Sequence, residues 1–337
     1  MSRKQVLVYR GLPCEQLARI EREHDVVLAN PRVEAQKDQF FNALPHVHAM
    51  IGSSYPIDDA VLAMAPRLEV ISSISVGVDK FELPALQRRG IMLCHTPGVL
   101  TETVADLLFA LLLATSRRVV ELANYVRDGR WESSIGEDLY GWDVHGKTLG
   151  IVGYGRIGRA VAQRGAWGFN MPVLFHTRTP PPNGAPSDGA PSDGMPPNGV
   201  PTARIRAVSL HEVLQQSDFV VVVTPLTEET RGMIGVEEFA LMKPGAIFIN
   251  GARGPIVQEH ALLHALDHGT LRAAGLDVFV SEPLPADSPL RHHPKVLALP
   301  HVGSATHETR HAMLDMATTN LLLALQGRAP LAAYKMA

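Results

Sequence analysis

The stretch 149–167 constrains this chain most. Leu149-Gly150-Ile151-Val152 is a short apolar run, Gly153-Tyr154-Gly155-Arg156-Ile157-Gly158 follows it without a gap, and an apolar helical pattern, Ile157–Trp167, comes directly after. Glycines at this spacing are a weak signal alone. Their weight comes from standing between a strand and a helix. Gly153 permits a tight turn, Gly155 lets a backbone approach a pyrophosphate, and Gly158 lets the helix pack close to the strand. The start of the helix, at Arg156 and Ile157, offers free N–H groups and positive dipole to phosphates. A dinucleotide is the ligand this arrangement suits.

The rest of the chain has the same rhythm. Candidate strands are Val6–Tyr9, Val26–Leu28, Ala49–Ile51, Val70–Ile74, Ile91–Cys94, Leu149–Val152, Val173–His176, Phe219–Val223, Ala246–Ile249, Ala274–Val278 and Val296–Leu299. Several are continuous apolar runs, Phe219–Val223 most clearly, which suits parallel strands buried on both faces. Strands alternating with helical patterns indicate an α/β protein with doubly wound parallel sheets. A capping box at Ser209-Leu210-His211-Glu212 opens one helix, and Gly269 closes another after Ala261–His268. One long helical pattern, Glu102–Arg127, ended by Gly129, separates the first five strands from the next six.

With 337 residues the chain is long enough for two domains. Its 46% hydrophobic and 19% charged residues exclude a mostly disordered chain. A net charge of −3 leaves no basic excess for a nucleic-acid backbone. The apolar run Val104–Ala114 is too short to span a bilayer and carries Asp106, and the N-terminus lacks the apolar core of a signal peptide. A soluble cytoplasmic protein is expected. Cys14 and Cys94 are expected to be two free buried thiols, and the fifteen histidines show no metal-ligand spacing, so no metal is expected. Pro180–Pro201, with eight prolines and four glycines in 22 residues, cannot build a core and reads as a flexible surface insertion.

The strand after the glycine motif bears on the cofactor. A site for NAD places Asp or Glu about 20 residues on, at the ribose 2′-hydroxyl. Here Val173-Leu174-Phe175 runs into His176-Thr177-Arg178-Thr179. Thr177 and Arg178 stand where the acid would be, and a guanidinium suits a 2′-phosphate, so NADP(H) is expected in preference to NAD(H). Three further residues lie just past strand ends: Arg253, Glu282 and His301. Ligands of open α/β sheets bind at that edge. An arginine can clamp a carboxylate, a histidine can carry a proton near neutral pH, and a glutamate beside it can orient the ring and favour its charged form.

At these residues the chain resembles the D-isomer-specific 2-hydroxyacid dehydrogenases over nearly its whole length. The resemblance is carried by Ser75-Val76-Gly77-Val78-Asp79, His95-Thr96-Pro97, Thr101–Asp106, Gly153–Gly158, Asn250–Gly254, Gly275–Phe279, Glu282-Pro283 and Pro300–Thr306. The stretches Ile74–Leu100, Leu139–His145 and His301–Arg310 are most similar to the bacterial glyoxylate/hydroxypyruvate and 2-ketogluconate reductase branch. The resemblance implies a Rossmann cofactor domain, 103–302, inserted in a flavodoxin-like substrate domain made of 1–102 and 303–337. It implies reduction of a small 2-oxo acid to a D-2-hydroxy acid by a homodimer.

Arg253 would bind the substrate carboxylate and carbonyl, His301 would be the general acid in reduction, and Glu282 would hold His301. Backbone N–H groups at Val76 and Gly77 would take the substrate carboxylate, with Ser304 adding a hydrogen bond. Asp277 and the backbone of Ala252 would orient the nicotinamide amide, and Thr103, Thr224 and Pro225 would line the nicotinamide end. One branch of the superfamily binds NAD(H) and recruits partners, so an NAD(P)H-sensing co-regulator is the competing reading. The tail after Gly327 lacks the Asn-Pro common in the family.

Overall fold

The structure is a computed structural model that describes residues 3–178 and 204–336, so the sequence expectation for 180–201 falls outside the described residues. In chain order the strands and α-helices are β1 (Gln5–Val8), α1 (Cys14–Glu21), β2 (Asp25–Leu28), α2 (Glu34–Ala43), β3 (Ala49–Gly52), α3 (Asp59–Ala63), β4 (Val70–Ser73), α4 (Leu83–Arg89), β5 (Met92–Cys94), α5 (Thr101–Ser116), α6 (Val119–Arg127), β6 (Leu149–Val152) and α7 (Arg156–Gln163). There follow β7 (Val173–His176), β8 (Ile205–Ala207), α8 (Leu210–Gln216), β9 (Phe219–Val222), α9 (Val236–Leu241), β10 (Ala246–Asn250), α10 (Glu259–Asp267), β11 (Leu271–Leu276), β12 (Val296–Ala298) and α11 (His307–Leu325).

The contacts divide the chain into two units, Met1–Leu100 with Ala305–Ala337, and Thr101–Ser304. The first holds a five-stranded sheet in the order β2-β1-β3-β4-β5, all parallel. This is the flavodoxin-like order. Its core includes Leu7, Tyr9, Phe40, Leu44, Met50, Ile71, Leu86 and Leu93. The second holds a seven-stranded parallel sheet in the order β12-β11-β10-β9-β6-β7-β8. Six of its strands follow the Rossmann order, reversing direction between β6 and β9. β6, β9 and β10 are buried along their whole length, as their unbroken apolar runs require. The α/β fold with two parallel sheets is as expected.

Three details depart from the sequence reading. The helical pattern Glu102–Arg127 is two helices, α5 and α6, broken at Arg118, whose φ is 54°. The break has a local cause. The N–H of Trp142 donates to Ser116 O at 3.1 Å, the carbonyl that a continuing helix would have used four residues on. Ser116 Oγ returns a bond to Trp142 O at 2.9 Å. A short strand, β8, pairs with β7 at the sheet edge where none was expected. Cys94 is buried but Cys14 is exposed at the start of α1, and the two are unbridged. Ser209 caps α8 by accepting from Glu212 N, and Gly269, at φ 75°, ends the turn after α10. No described helix is long and apolar enough to cross a membrane.

Candidate active site

The unit Thr101–Ser304 carries most of the expected chemistry at the carboxyl edge of its sheet. The glycine motif follows β6, and the Thr224-Pro225 turn follows its neighbour β9. These strands flank the point where strand order reverses, which is where a cofactor binds in such sheets. Each glycine has its own physical reason. Gly153 has φ 104°, and a Cβ there would lie 2.7 Å from Thr224 N. At Gly158 a Cβ would fall 2.1 Å from Gly153 O, so any side chain would push α7 off the turn. Gly155, the residue before α7, faces open space with nothing within 4 Å. A cradle closed behind by Gly153 and Gly158 and open at Gly155 fits a pyrophosphate set against the first N–H groups of α7, Arg156 and Ile157 among them.

The next three strands, β10, β11 and β12, lie side by side and deliver the remaining groups. The turn after β10 is built on Asn250, which is 1% exposed. Its Oδ1 accepts from Ala252 N at 3.1 Å, and its Nδ2 donates to Arg253 O at 3.2 Å. Arg253 Nη1 donates to Ala252 O at 2.8 Å. Gly254 is required because a Cβ there would meet the Phe279 carbonyl at 1.9–2.1 Å. The turns after β10 and β11 are thus pressed together.

Beyond β11, Glu282 Oε1 accepts from Phe279 N at 3.0 Å. Its Oε2 lies 2.8 Å from His301 Nδ1. Burial pushes the Glu282 carboxyl up. The hydrogen bonds from His301 and Phe279 and the nearby charges of His301 and Arg253 outweigh this, and it ends below the ordinary glutamate range. Arg253, Glu282 and His301 are therefore brought together, and the histidine and glutamate side chains remain 46% and 36% exposed.

Asp277, 3% exposed, does more than the sequence suggested. Its two carboxylate oxygens accept from Val302 N at 2.7 Å and Gly303 N at 2.8 Å, fixing the segment that carries His301. Burial raises its pKa despite those two bonds. His301 itself has φ 54°, a left-handed conformation that this clamp helps to hold. Each Asp277 oxygen keeps a further lone pair, so the expected contact with a nicotinamide amide remains open. Asn250 was not singled out from sequence, though its place as the last residue of a buried strand before a glycine turn was a usable signal.

Thr103 lies in the first turn of α5, Ala252 is buried, and Ser304 is half-buried ahead of α11. Arg178 stands two residues past β7 with its side chain 81% exposed, and its Nη1 is 3.2 Å from Glu229 Oε2. Val76 and Gly77 belong to the other unit, in the turn after β4. Ser75 Oγ donates to Gly77 O at 2.7 Å, and Val76 O lies 3.1 Å from His95 Nδ1. The carbonyls of this turn are engaged, while neither N–H donates to another described residue. Among the described residues no group of three or more His, Cys, Asp or Glu could hold a metal.

Residues 109–303 match the sequence family described as D-isomer specific 2-hydroxyacid dehydrogenase, NAD binding domain. The chain belongs to the D-isomer-specific 2-hydroxyacid dehydrogenase family. It is 49% identical over 322 residues to the glyoxylate/hydroxypyruvate reductase B of Escherichia fergusonii, covering 96% of this chain and 95% of the relative. It is 48% identical to the Citrobacter koseri protein of the same name over 96% and 95% of the two chains. A crystal structure of a Thermus thermophilus protein superposes with TM-score 0.85 at 43% identity, covering 98% of this chain and all of that one. An NADPH-dependent glyoxylate/hydroxypyruvate reductase of Sinorhizobium meliloti, solved with NADP and malonate, superposes with TM-score 0.82 at 30% identity over 99% and 97% of the chains. The chain is an oxidoreductase with a Rossmann NAD(P)-binding unit.

Proposed function

We propose that this enzyme reduces small 2-oxo acids, namely glyoxylate, hydroxypyruvate and 2-keto-D-gluconate, to D-2-hydroxy acids, with NADPH preferred over NADH. The observation that carries this reading is the 2.8 Å bond between His301 Nδ1 and Glu282 Oε2, held beside Arg253 at the sheet edge next to the dinucleotide cradle. A carboxylate can only accept at Nδ1, so that nitrogen carries a hydrogen and Nε2 is left to face the substrate. In the protonated ring Nε2 delivers the proton to the carbonyl oxygen as negative charge grows there. The Arg253 guanidinium stabilises the same charge and orients the substrate through paired N–H donors. Val76 and Gly77 offer N–H groups to the substrate carboxylate, and Ser304 adds a hydroxyl. A bound nicotinamide cofactor supplies the hydride. Thr103, Thr224, Pro225, Ala252 and Asp277 are the residues we assign to its nicotinamide end.

NADPH preference rests on Arg178 and Thr177 at the end of β7, with no acid among the first residues after that strand. The Glu229 partner does not remove this support. Both side chains are largely exposed, and such a pair is worth about 0–1 kcal/mol. A cytoplasmic site of action fits the two unbridged thiols. The assembly we propose is a homodimer built on α6.

The test is initial rates of NADPH and NADH oxidation with each of the three acids over a range of concentration. A higher kcat/KM with NADPH supports Arg178 as the phosphate clamp, and equal or better rates with NADH overturn it. No turnover on any 2-oxo acid overturns the reductase reading in favour of an NAD(P)H sensor.

A further inference from the structure

The carboxyl edge of the five-stranded sheet carries three arginines that the reaction above does not use. Arg10 follows β1, Arg32 follows β2, and Arg310 stands in the first turns of α11. They converge. Arg10 Nη1 donates to Ser53 Oγ, and lies 3.4 Å from Ser54 Oγ. Arg32 Nη2 donates to the Ser54 carbonyl oxygen. Both serines follow β3, the strand next to β1. Gly52 makes this approach possible, since a Cβ there would collide with the Tyr9 ring at 2.7 Å.

Among the described residues the cluster has no counter-charge. Arg3, Arg19 and Arg89 of the same unit each pair with a carboxylate. Among the described residues Arg10, Arg32 and Arg310 pair with none, and the side-chain bonds of Arg10 and Arg32 go to neutral oxygens. Arg10 is half-buried, and its guanidinium is held below its ordinary pKa by that burial and by the charges of Arg310 and Arg32. Like charges gathered without a partner cost stability. Neutral hydrogen bonds that hold them in place suit a site pre-organised for an anion.

Its position names the anion. The turn after β4 holds Val76 and Gly77, to which the substrate carboxylate is assigned above, and β4 lies next to β3. Adjacent strands are about 5 Å apart. Because Arg10 reaches over to Ser53, its charge sits one strand spacing from that turn rather than two. A group bound there is a few bonds beyond the first carboxylate of the same molecule.

We propose that Arg10, Arg32 and Arg310 form a subsite for a second anionic group on the substrate. Besides the monoanions named above, the enzyme then takes 2-oxo acids that end in a distal carboxylate or phosphate, and takes them with a higher kcat/KM than glyoxylate. This rests on the reductase reading of the preceding subsection.

The experiment compares kcat/KM for glyoxylate, 2-oxoglutarate and phosphohydroxypyruvate in the wild type, Arg32→Gln, Arg310→Gln and, as a charge-matched control, Arg88→Gln. Arg88 is an exposed residue of α4 near Asp59. The expected result is that the ratio of either distally anionic acid to glyoxylate is above one in the wild type. That ratio falls by at least about tenfold in Arg32→Gln and Arg310→Gln and not in the control. The two distally anionic acids separate a carboxylate from a phosphate site by which ratio falls. A ratio that does not move in either variant overturns the subsite while leaving the reductase reading intact.

A second readout needs no turnover. Malonate should raise Tm more than acetate at matched ionic strength, and Arg32→Gln, an exposed change with little risk to folding, should abolish the difference. If no 2-oxo acid is reduced but this malonate effect is present and lost in Arg32→Gln, the reductase reading fails and the anion subsite stands. If malonate and acetate act alike on the wild type, the subsite is overturned.

Discussion

At the scale of single residues, the site depends on a few short bonds, and each makes a testable statement. Replacing His301 by Gln removes the proposed proton donor but leaves the glycine cradle in place, so kcat should fall by about 10²–10⁴-fold while NADPH affinity, read by fluorescence titration, stays near wild type. Retained turnover would remove His301 from the mechanism. Glu282 gives a prediction about pH. Its carboxyl lies below the ordinary glutamate range because His301 and the Phe279 N–H bind its charged form. The stability this contributes is present above the unfolded-state pKa and is lost as pH falls through the lowered folded value. Urea unfolding between neutral pH and about pH 3 should therefore show a shallower acid limb for Glu282→Gln than for the wild type. Parallel curves would mean that the bond to His301 adds nothing to the native state. At the other end of the cofactor, Arg178→Ala should lower the NADPH-to-NADH ratio of kcat/KM by about tenfold or more, whereas Glu229→Gln should raise it by freeing the guanidinium.

At the scale of elements, the β6–turn–α7 unit separates two roles that the same residue type plays. Gly158→Ala must displace a backbone oxygen 2.1 Å away, so α7 moves or the turn opens, and thermal unfolding should show a large loss of stability. Gly155→Ala meets nothing within 4 Å and has ordinary backbone angles, so Tm should hold while NADPH affinity falls, because the methyl group occupies the space left for phosphate. Equal effects of the two changes would refute that division. The same elements show what could be read in advance. Strand and helix alternation, the glycine motif and the charged residues past β10, β11 and β12 are local patterns, and they placed both sheets and the Arg253, Glu282 and His301 cluster. The break at Arg118 was not legible, because its cause is a bond from Trp142, distant in sequence, to a carbonyl the helix would otherwise have used. β8 escaped notice because only pairing with β7 makes Ile205–Ala207 a strand. The clamp of Asp277 on Val302 and Gly303 was hidden for the same reason: one carboxylate bridges two loops that adjoin only once β11 and β12 are paired.

At the scale of the whole molecule, the segment after the Arg118 break carries the prediction about assembly. α6 is a helix with no buried residue, yet Val119, Val120 and Val126 stand on it at 51%, 46% and 53% exposure. The segment that follows adds exposed Trp131, Ile135, Tyr140 and Trp142. Isolated apolar side chains on a surface mean little, but a helix and its continuation that together expose three valines, an isoleucine, two tryptophans and a tyrosine carry the apolar and aromatic side chains in which interfaces are rich. Burial within one copy would have explained the apolar pattern of α5, whose Val104, Leu108, Leu111 and Leu112 are covered, and it does not explain α6. A second copy is the occupant that the family resemblance implies. Sedimentation velocity at micromolar concentration should therefore give a dimer. Val119 and Val126, seven residues apart on one face of α6, should be the positions that break it. Val119→Asp with Val126→Asp puts two charges on that face without touching a buried residue of the unit, so the variant should sediment as a folded monomer with unchanged circular dichroism. A wild type that sediments as a monomer would overturn the dimer.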